Sequence, residues 1–184
     1  SVSHGIIKQV ADAYRKIRNT FRFMLGNISD FDVRKDRVAY NDLPELDRWM
    51  MGRFVDLVKR AKDSYNAYDF HVIYRSIFNF CNTDLSAVYF SIIKDRLYCA
   101  GEEGRRSAQT ALYLILDGMT RLVAPILAFT SEEIWKAMPH DGQADGESVL
   151  FNQMPDYDGA LALPQGETER WETLITLRDH VNKA

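Results

Sequence analysis

The sequence predicts an all-α fold: an antiparallel bundle of four main helices with a short extra helix and a C-terminal appendage. Three observations predict it. Apolar residues recur at alternating steps of three and four through nearly all of the 184 residues, the spacing that lines one face of a helix. Cap and turn residues punctuate that pattern at Gly26-Asn27, Asp42 with Pro44, Asp69 and the GEEG turn at 101–104. A hydrophobic content of 46% supplies a core for one domain, and no low-complexity tract interrupts it.

The first helix carries the stripe Ile7, Val10, Tyr14, Ile17, Phe21, Met24 and Ile28, and Gly26 or Asn27 suits its end. A polar, charged loop through Asn41 follows, with Arg34, Lys35 and Arg37. Asp42 is the expected N-cap of the second helix, with Pro44 in its first turn and the stripe Leu46, Met50, Phe54, Leu57, Ala61 and Tyr65. Asp69 caps a third helix through Phe70, Ile73, Ile77 and Phe80, which Asp84 restarts or continues as Leu85, Val88 and Ile92. The fourth, with Ala108, Leu112, Ile115, Met119, Leu122 and Ile126, is apolar on most sides and should be the most buried element, ending near Pro125. Thr130-Ser-Glu-Glu133 reads as a capping box for a short helix through Trp135 and Met138. Residues 141–148 read as a loop and SVLFNQMP as a short extended segment. Trp171, Leu174, Leu177 and Val181 mark a last helix from Glu167 to Ala184. The expected division is 1–140 as the bundle and 141–184 as a loop and final helix.

Several function classes fall away on composition. Asp117 and Arg121 interrupt the most apolar segment, so no membrane span is expected. SVSHGIIKQV lacks the pattern of a secretory leader and an initiator Met, which suggests a fragment of a longer protein. Cys81 and Cys99 are too few for a disulfide framework or a four-Cys zinc site, and read as reduced, half-buried thiols. A bundle di-iron site needs Glu-x-x-His repeats, which are absent, and His4, His71, His140 and His180 have no second ligand at metal spacing. Glu102-Glu103 reads as part of a turn and Glu132-Glu133 as a cap, so no acid/base pair stands out. The expectation is therefore no catalytic residue and no metal ligand in this chain.

What remains is a charge anomaly. Residues 1–40 hold eight Lys/Arg against four Asp, and residues 141–184 hold three against nine acidic residues, within a formal net charge of -3. On a helical wheel, Lys8, Arg15, Arg18 and Arg22 form one stripe beside the core seam, with Asn19 just beyond and Asp12 at the edge. Lys16 falls on the other side. A solubilising face mixes signs in i,i+4 pairs, whereas this stripe is one-signed and dominated by arginine, whose planar fork suits phosphates and base edges. Tyr14, Asn19 and Phe23 add an amide and rings of the kind that read and stack single-stranded bases. The candidate RNA-binding residues are thus Tyr14, Arg15, Arg18, Asn19, Arg22 and Lys8. Arg75 and Asn79 form a second polar pair one turn apart. Lys94, Asp95 and Arg96 read as structural ion-pair residues, and Asp117 is expected to pair with Arg121. The rival class is a non-catalytic helical protein-interaction module whose basic face meets an acidic partner.

AYRKIRNTFRFMLGN, LPELDRWM, YDFHVIYRSIFNFC, DLSAVYFSIIKDRLYC, RRSAQTALYLILDGMTRLVAPILAFTSEEIW and LRDHVNKA run in order through nearly the whole chain. Together they resemble the helical anticodon-binding domain of bacterial isoleucyl-tRNA synthetases, class I aminoacyl-tRNA synthetases. The resemblance implies a parent enzyme that activates isoleucine with ATP and magnesium and transfers it to its tRNA. It further implies a cytoplasmic monomer, with zinc held far downstream in many bacterial relatives. The partners implied are the anticodon stem-loop of the isoleucine tRNA and the catalytic and C-terminal domains of the parent. The family's HIGH and KMSKS signatures are absent, so the fragment alone should be inactive and without cofactor. A related methionyl enzyme contacts the anticodon through an Arg preceding an Asn on this helix, and Arg18-Asn19 is the matching pair. Residues 32–41 and 141–165 depart from the family pattern, and Ala128 stands where it has Pro.

Overall fold

A computed structural model describes residues 4–144, 146–157, 161 and 163–181. Among them the regular elements are all helical: α1 (His4–Asn27), α2 (Glu45–Asn66), α3 (Phe70–Asn79), a π-helical segment (Phe80–Tyr89), α4 (Phe90–Tyr98), α5 (Glu102–Val123), α6 (Ala128–Ala137) and α7 (Gln165–Val181), with short 3-10 turns at Tyr40–Asp42 and Val149–Phe151. The four main helices are α1, α2, the continuous α3–π–α4 rod and α5. The part of the last helix expected beyond Val181 lies outside the described residues, as does the side chain of His4.

Three helices run side by side in the same direction, with α1 in the middle. Tyr74 Oη donates to the Val10 carbonyl (3.3 Å), Lys16 Nζ to Asn82 Oδ1 (2.9 Å), and Thr20 Oγ1 lies 3.5 Å from Ser86 Oγ. Both partners advance together along the chain, which is the signature of parallel helices. On the other flank Tyr14 Oη lies 2.8 Å from Thr130 Oγ1, and Arg18 Nη2 donates to Glu133 Oε1 at 3.0 Å, so α6 is parallel to α1 as well. α2 and α5 return in the opposite sense and complete the core.

In α1 the expected stripe is fully buried from Ile17 through Phe21 and Met24 to Ile28 beyond its end. Ile7 and Val10, further up the same stripe, are exposed. Asn27 closes the helix by donating its side-chain amide to the Phe23 carbonyl (2.8 Å). The following loop is less solvated than its charge suggests, because Phe31 and Val33 enter the core. Asp42 does not cap α2: it lies in the 3-10 turn, and Pro44 takes the N-cap position. Glu45 and Asp47 then occupy the first turn, where negative charge meets the positive helix end. Asp69 is at the N-cap of α3, though its side chain makes no capping bond.

Asp84 continues the third helix rather than restarting it, but the backbone widens into a π-helix, with Ser86 Oγ donating to the carbonyl of Cys81 five residues back (2.8 Å). α5 is the most buried element, as its all-round apolar pattern predicts, and it ends at Val123. Glu102 and Glu103 form its first turn rather than a free turn, with Gly101 at the N-cap. α6 starts at Ala128 after Leu127, so Thr130 is inside the helix and buried, and no capping box forms. SVLFNQMP is not extended: Val149–Phe151 makes a 3-10 turn, capped by Ser148 Oγ accepting from Leu150 N. α7 buries no residue fully and lies on α2, with Trp171 stacked over Trp49 at 5.8 Å. The thiols are not half-buried either: Cys81 is fully buried and Cys99 exposed. No described helix is long and apolar enough to cross a membrane.

Candidate nucleic-acid interface

The central position of α1 decides which of its residues face outward. Its core face holds Ile17, Phe21 and Met24, and its two flanks are taken by α6 and the π segment. Lys8, Arg15, Asn19 and Arg22 are left on the exposed ridge between those flanks, on one face of the helix. A groove lined by Arg22, Leu25, Gly26, Ser29, Ala137, Met138 and Pro139 prolongs the ridge between the ends of α1 and α6.

Other expected site residues sit differently. Tyr14 is half-buried with its hydroxyl engaged by Thr130, which ties α6 to α1. The Phe23 ring lies against Phe90 with centroids 4.3 Å apart, so one of its faces is occupied by the protein. Lys16 lies off the ridge, as its wheel position indicates, and bonds Asn82.

The stripe is less one-signed in space than in sequence. Arg15 pairs with Asp12 at 2.7 Å, and Arg18 pairs with Glu133, which arrives from α6. Arg18 is the less exposed of the two arginines, its side chain 35% accessible against 70% for Arg15. Among the described residues neither Lys8 nor Arg22 has an ion-pair partner. Arg75 and Asn79 are both exposed on α3. Nothing in the sequence marks Glu133 and Asn82 as neighbours of α1, because helical phase is local and both contacts cross to another helix.

Charged groups elsewhere serve the fold. Arg96 grips Asp47 with both prongs of its guanidinium, and Tyr89 donates to the same carboxylate; burial and that anion hold the Tyr89 hydroxyl far above its ordinary value. Lys94 and Asp95 are exposed. Asp117 and Arg121 pair as expected. Glu132 accepts from Lys136, Ser148 Oγ and Val149 N, and these bonds keep its carboxyl below the usual range despite partial desolvation. His140 packs on Trp135 at 4.5 Å. Among the described residues no three His, Cys, Asp or Glu come together to hold a metal ion. The arrangement can present cations and an amide to a polyanion.

Comparison with known proteins gives the family. The family described as anticodon-binding domain of tRNA ligase matches residues 47–184. The isoleucine–tRNA ligase of Desulfitobacterium hafniense is 46% identical over 190 residues, that of Desulfotalea psychrophila 47% over 191, and that of Persephonella marina 46% over 185. Each match covers the whole chain, α1 included. The chain spans about a fifth of the length of these curated relatives (20%, 20% and 19%). With an up-and-down helical bundle and a family match over residues 47–184, the chain belongs to the anticodon-binding domains of tRNA ligases.

Proposed function

We propose that this chain docks on the anticodon stem-loop of the isoleucine tRNA, as part of an isoleucine–tRNA ligase that works as a cytoplasmic monomer. The observation that carries the reading is the exposed ridge Lys8, Arg15, Asn19 and Arg22 on α1, in a chain 46% identical to an isoleucine–tRNA ligase over its whole length. Lysine and arginine neutralise loop phosphates and fix the register, which carries no sequence information by itself. Asn19 offers an amide that both donates and accepts, and so suits the edge of a splayed base. Arg18 and Tyr14 border the ridge and shape its α6 side.

Positioning is the whole of this chain's part. Residues 1–140 form the docking bundle, and 141–184 lead toward the C-terminal domain. ATP with magnesium, and zinc, serve the parent through residues outside this chain. Amino-acid activation and transfer belong to the catalytic domain, so the fragment alone has no ligase activity.

One observation favours a second reading. Two of the four stripe cations are already paired, Arg15 with Asp12 and Arg18 with Glu133, which leaves less free charge for RNA and suits a protein-interaction module. Titrating the full-length protein with the anticodon stem-loop and with a scrambled loop separates the readings. The expected result is preference for the cognate loop, and weaker binding with a flatter salt dependence for Arg15→Glu/Arg18→Glu. Unchanged affinity in that double variant overturns the site assignment.

A further inference from the structure

The pair between Arg18 and Glu133 has a chemistry of its own. Glu133 offers two oxygens to one nitrogen of the Arg18 fork, at 3.0 and 3.4 Å from Nη2. Among the described residues the Arg18 Nη1 and Nε groups donate to nothing, so part of the fork stays open. The pair lies at the surface, with side-chain exposures of 35% and 62%, where water screens it and displacement is easy.

The backbone of Glu133 is held close to α1. Thr130, one turn earlier on α6, is held at 2.8 Å from Tyr14 Oη, which fixes α6 against α1. On its own helix the neighbouring cation, Lys136, pairs with Glu132 instead. A carboxylate therefore sits beside an arginine whose partly open fork suits a phosphate.

We infer that Glu133 is an internal phosphate surrogate: it occupies Arg18 in the free protein, gives the arginine up to the RNA backbone, and then faces that backbone unpaired. This rests on the anticodon-binding reading. The carboxylate thereby lowers the sequence-independent part of the affinity and leaves more of the binding to depend on base contacts.

Glu133→Gln keeps a helix-compatible side chain of the same shape on an exposed position and removes only the charge. In the full-length protein, affinity is measured for the anticodon stem-loop and for a scrambled loop across a potassium chloride series. Binding of both RNAs should tighten about three- to tenfold at low salt, the effect of one unit charge a few ångströms from a phosphate in water. The slope of log K against log salt should steepen, because the net positive charge facing the backbone rises by one. Glu169→Gln on α7, which packs against α2, removes the same charge elsewhere and should leave both measurements unchanged. Equal or weaker binding by Glu133→Gln overturns the inference. Arg22→Glu distinguishes the two levels. If it weakens RNA binding while Glu133→Gln changes nothing, only the surrogate role fails; if Arg22→Glu also has no effect, the anticodon-binding reading falls with it.

Discussion

Arg96 closes both prongs of its guanidinium on Asp47, at 2.8 and 2.6 Å, and the Asp47 side chain has no exposed surface. Tyr89 adds a third donor at 2.7 Å, so one carboxylate joins α2, the π segment and α4. A buried ion pair contributes little over an apolar pair of the same shape, but removing one member strands the other. Arg96→Met should therefore cost about 3–5 kcal/mol, read from urea unfolding. The double variant Asp47→Leu/Arg96→Met should recover part of that loss.

Gly118 lies where α5 crosses α2. A Cβ there would stand 2.7 Å from the Phe54 ring and 2.6 Å from the Tyr157 hydroxyl. Gly118→Ala should destabilise by about 1–3 kcal/mol through overpacking. Gly26→Ala, in open space near the end of α1, should not. Thermal melts of the two variants decide it: the expected outcome is a lower midpoint for the first alone.

The turn after α1 is latched to α5 by acidic chemistry. Gln109, fully buried, donates to the Asn27 carbonyl and to Asp30, both at 2.8 Å, while Arg105 pairs with Asp30 at 2.8 Å. Burial pushes the Asp30 carboxyl up, but the Gln109 bond and the charges of Arg105 and Arg106 outweigh it and leave it below its ordinary 3.8. A depressed carboxyl contributes stability that is present above the unfolded value and lost as pH falls through the folded one. Stability should fall as pH drops below about 4, and the fall should be shallower in Asp30→Asn, measured by unfolding at stepped pH.

The thiols should separate cleanly. Burial pushes the Cys81 thiol from 9.0 up to about 12, so it carries almost no thiolate near neutrality, whereas Cys99 is exposed. One thiol per chain should react promptly with a disulfide reagent at pH 8, and the second only in denaturant. Because the folded value is raised, the stabilisation is complete below 9.0 and is lost as pH climbs toward 12. Cys81→Ser should remove that part of the alkaline loss.

The fold was legible because helix phase is written locally. Ile17, Phe21, Met24 and Ile28 repeat on the wheel and are all fully buried, and the all-round apolar α5 lies at the centre. Features decided by a second helix were not. Ile7 and Val10 continue the same stripe yet lie exposed, since periodicity shows that a face is apolar and not what covers it. Thr130 has the sequence of a cap but spends its hydroxyl on Tyr14, and its helix had already begun two residues earlier. The exposed ridge divides the same way: that Lys8, Arg15, Asn19 and Arg22 share a face follows from phase alone, whereas the carboxylate beside Arg18 comes from 115 residues away. The π segment escapes a wheel drawn at the α-helical angle, since its wider turns break the phase that the wheel assumes.

That segment acts as a phase shifter inside the rod. α3 and α4 are one continuous helix in sequence, yet the widened turns between them set the azimuth at which α4 leaves. Each residue of α-helix is worth about 100° of rotation and each residue of the wider π turns less, so deleting one residue within 80–89 while the rest keep their turns would change the direction in which α4 faces. Arg96 would then point away from Asp47, and Ile93 and Leu97 would swing out of the core. The irregular stretch thus works as a keyed joint: the same apolar letters on either side fit the bundle only while the extra width is kept.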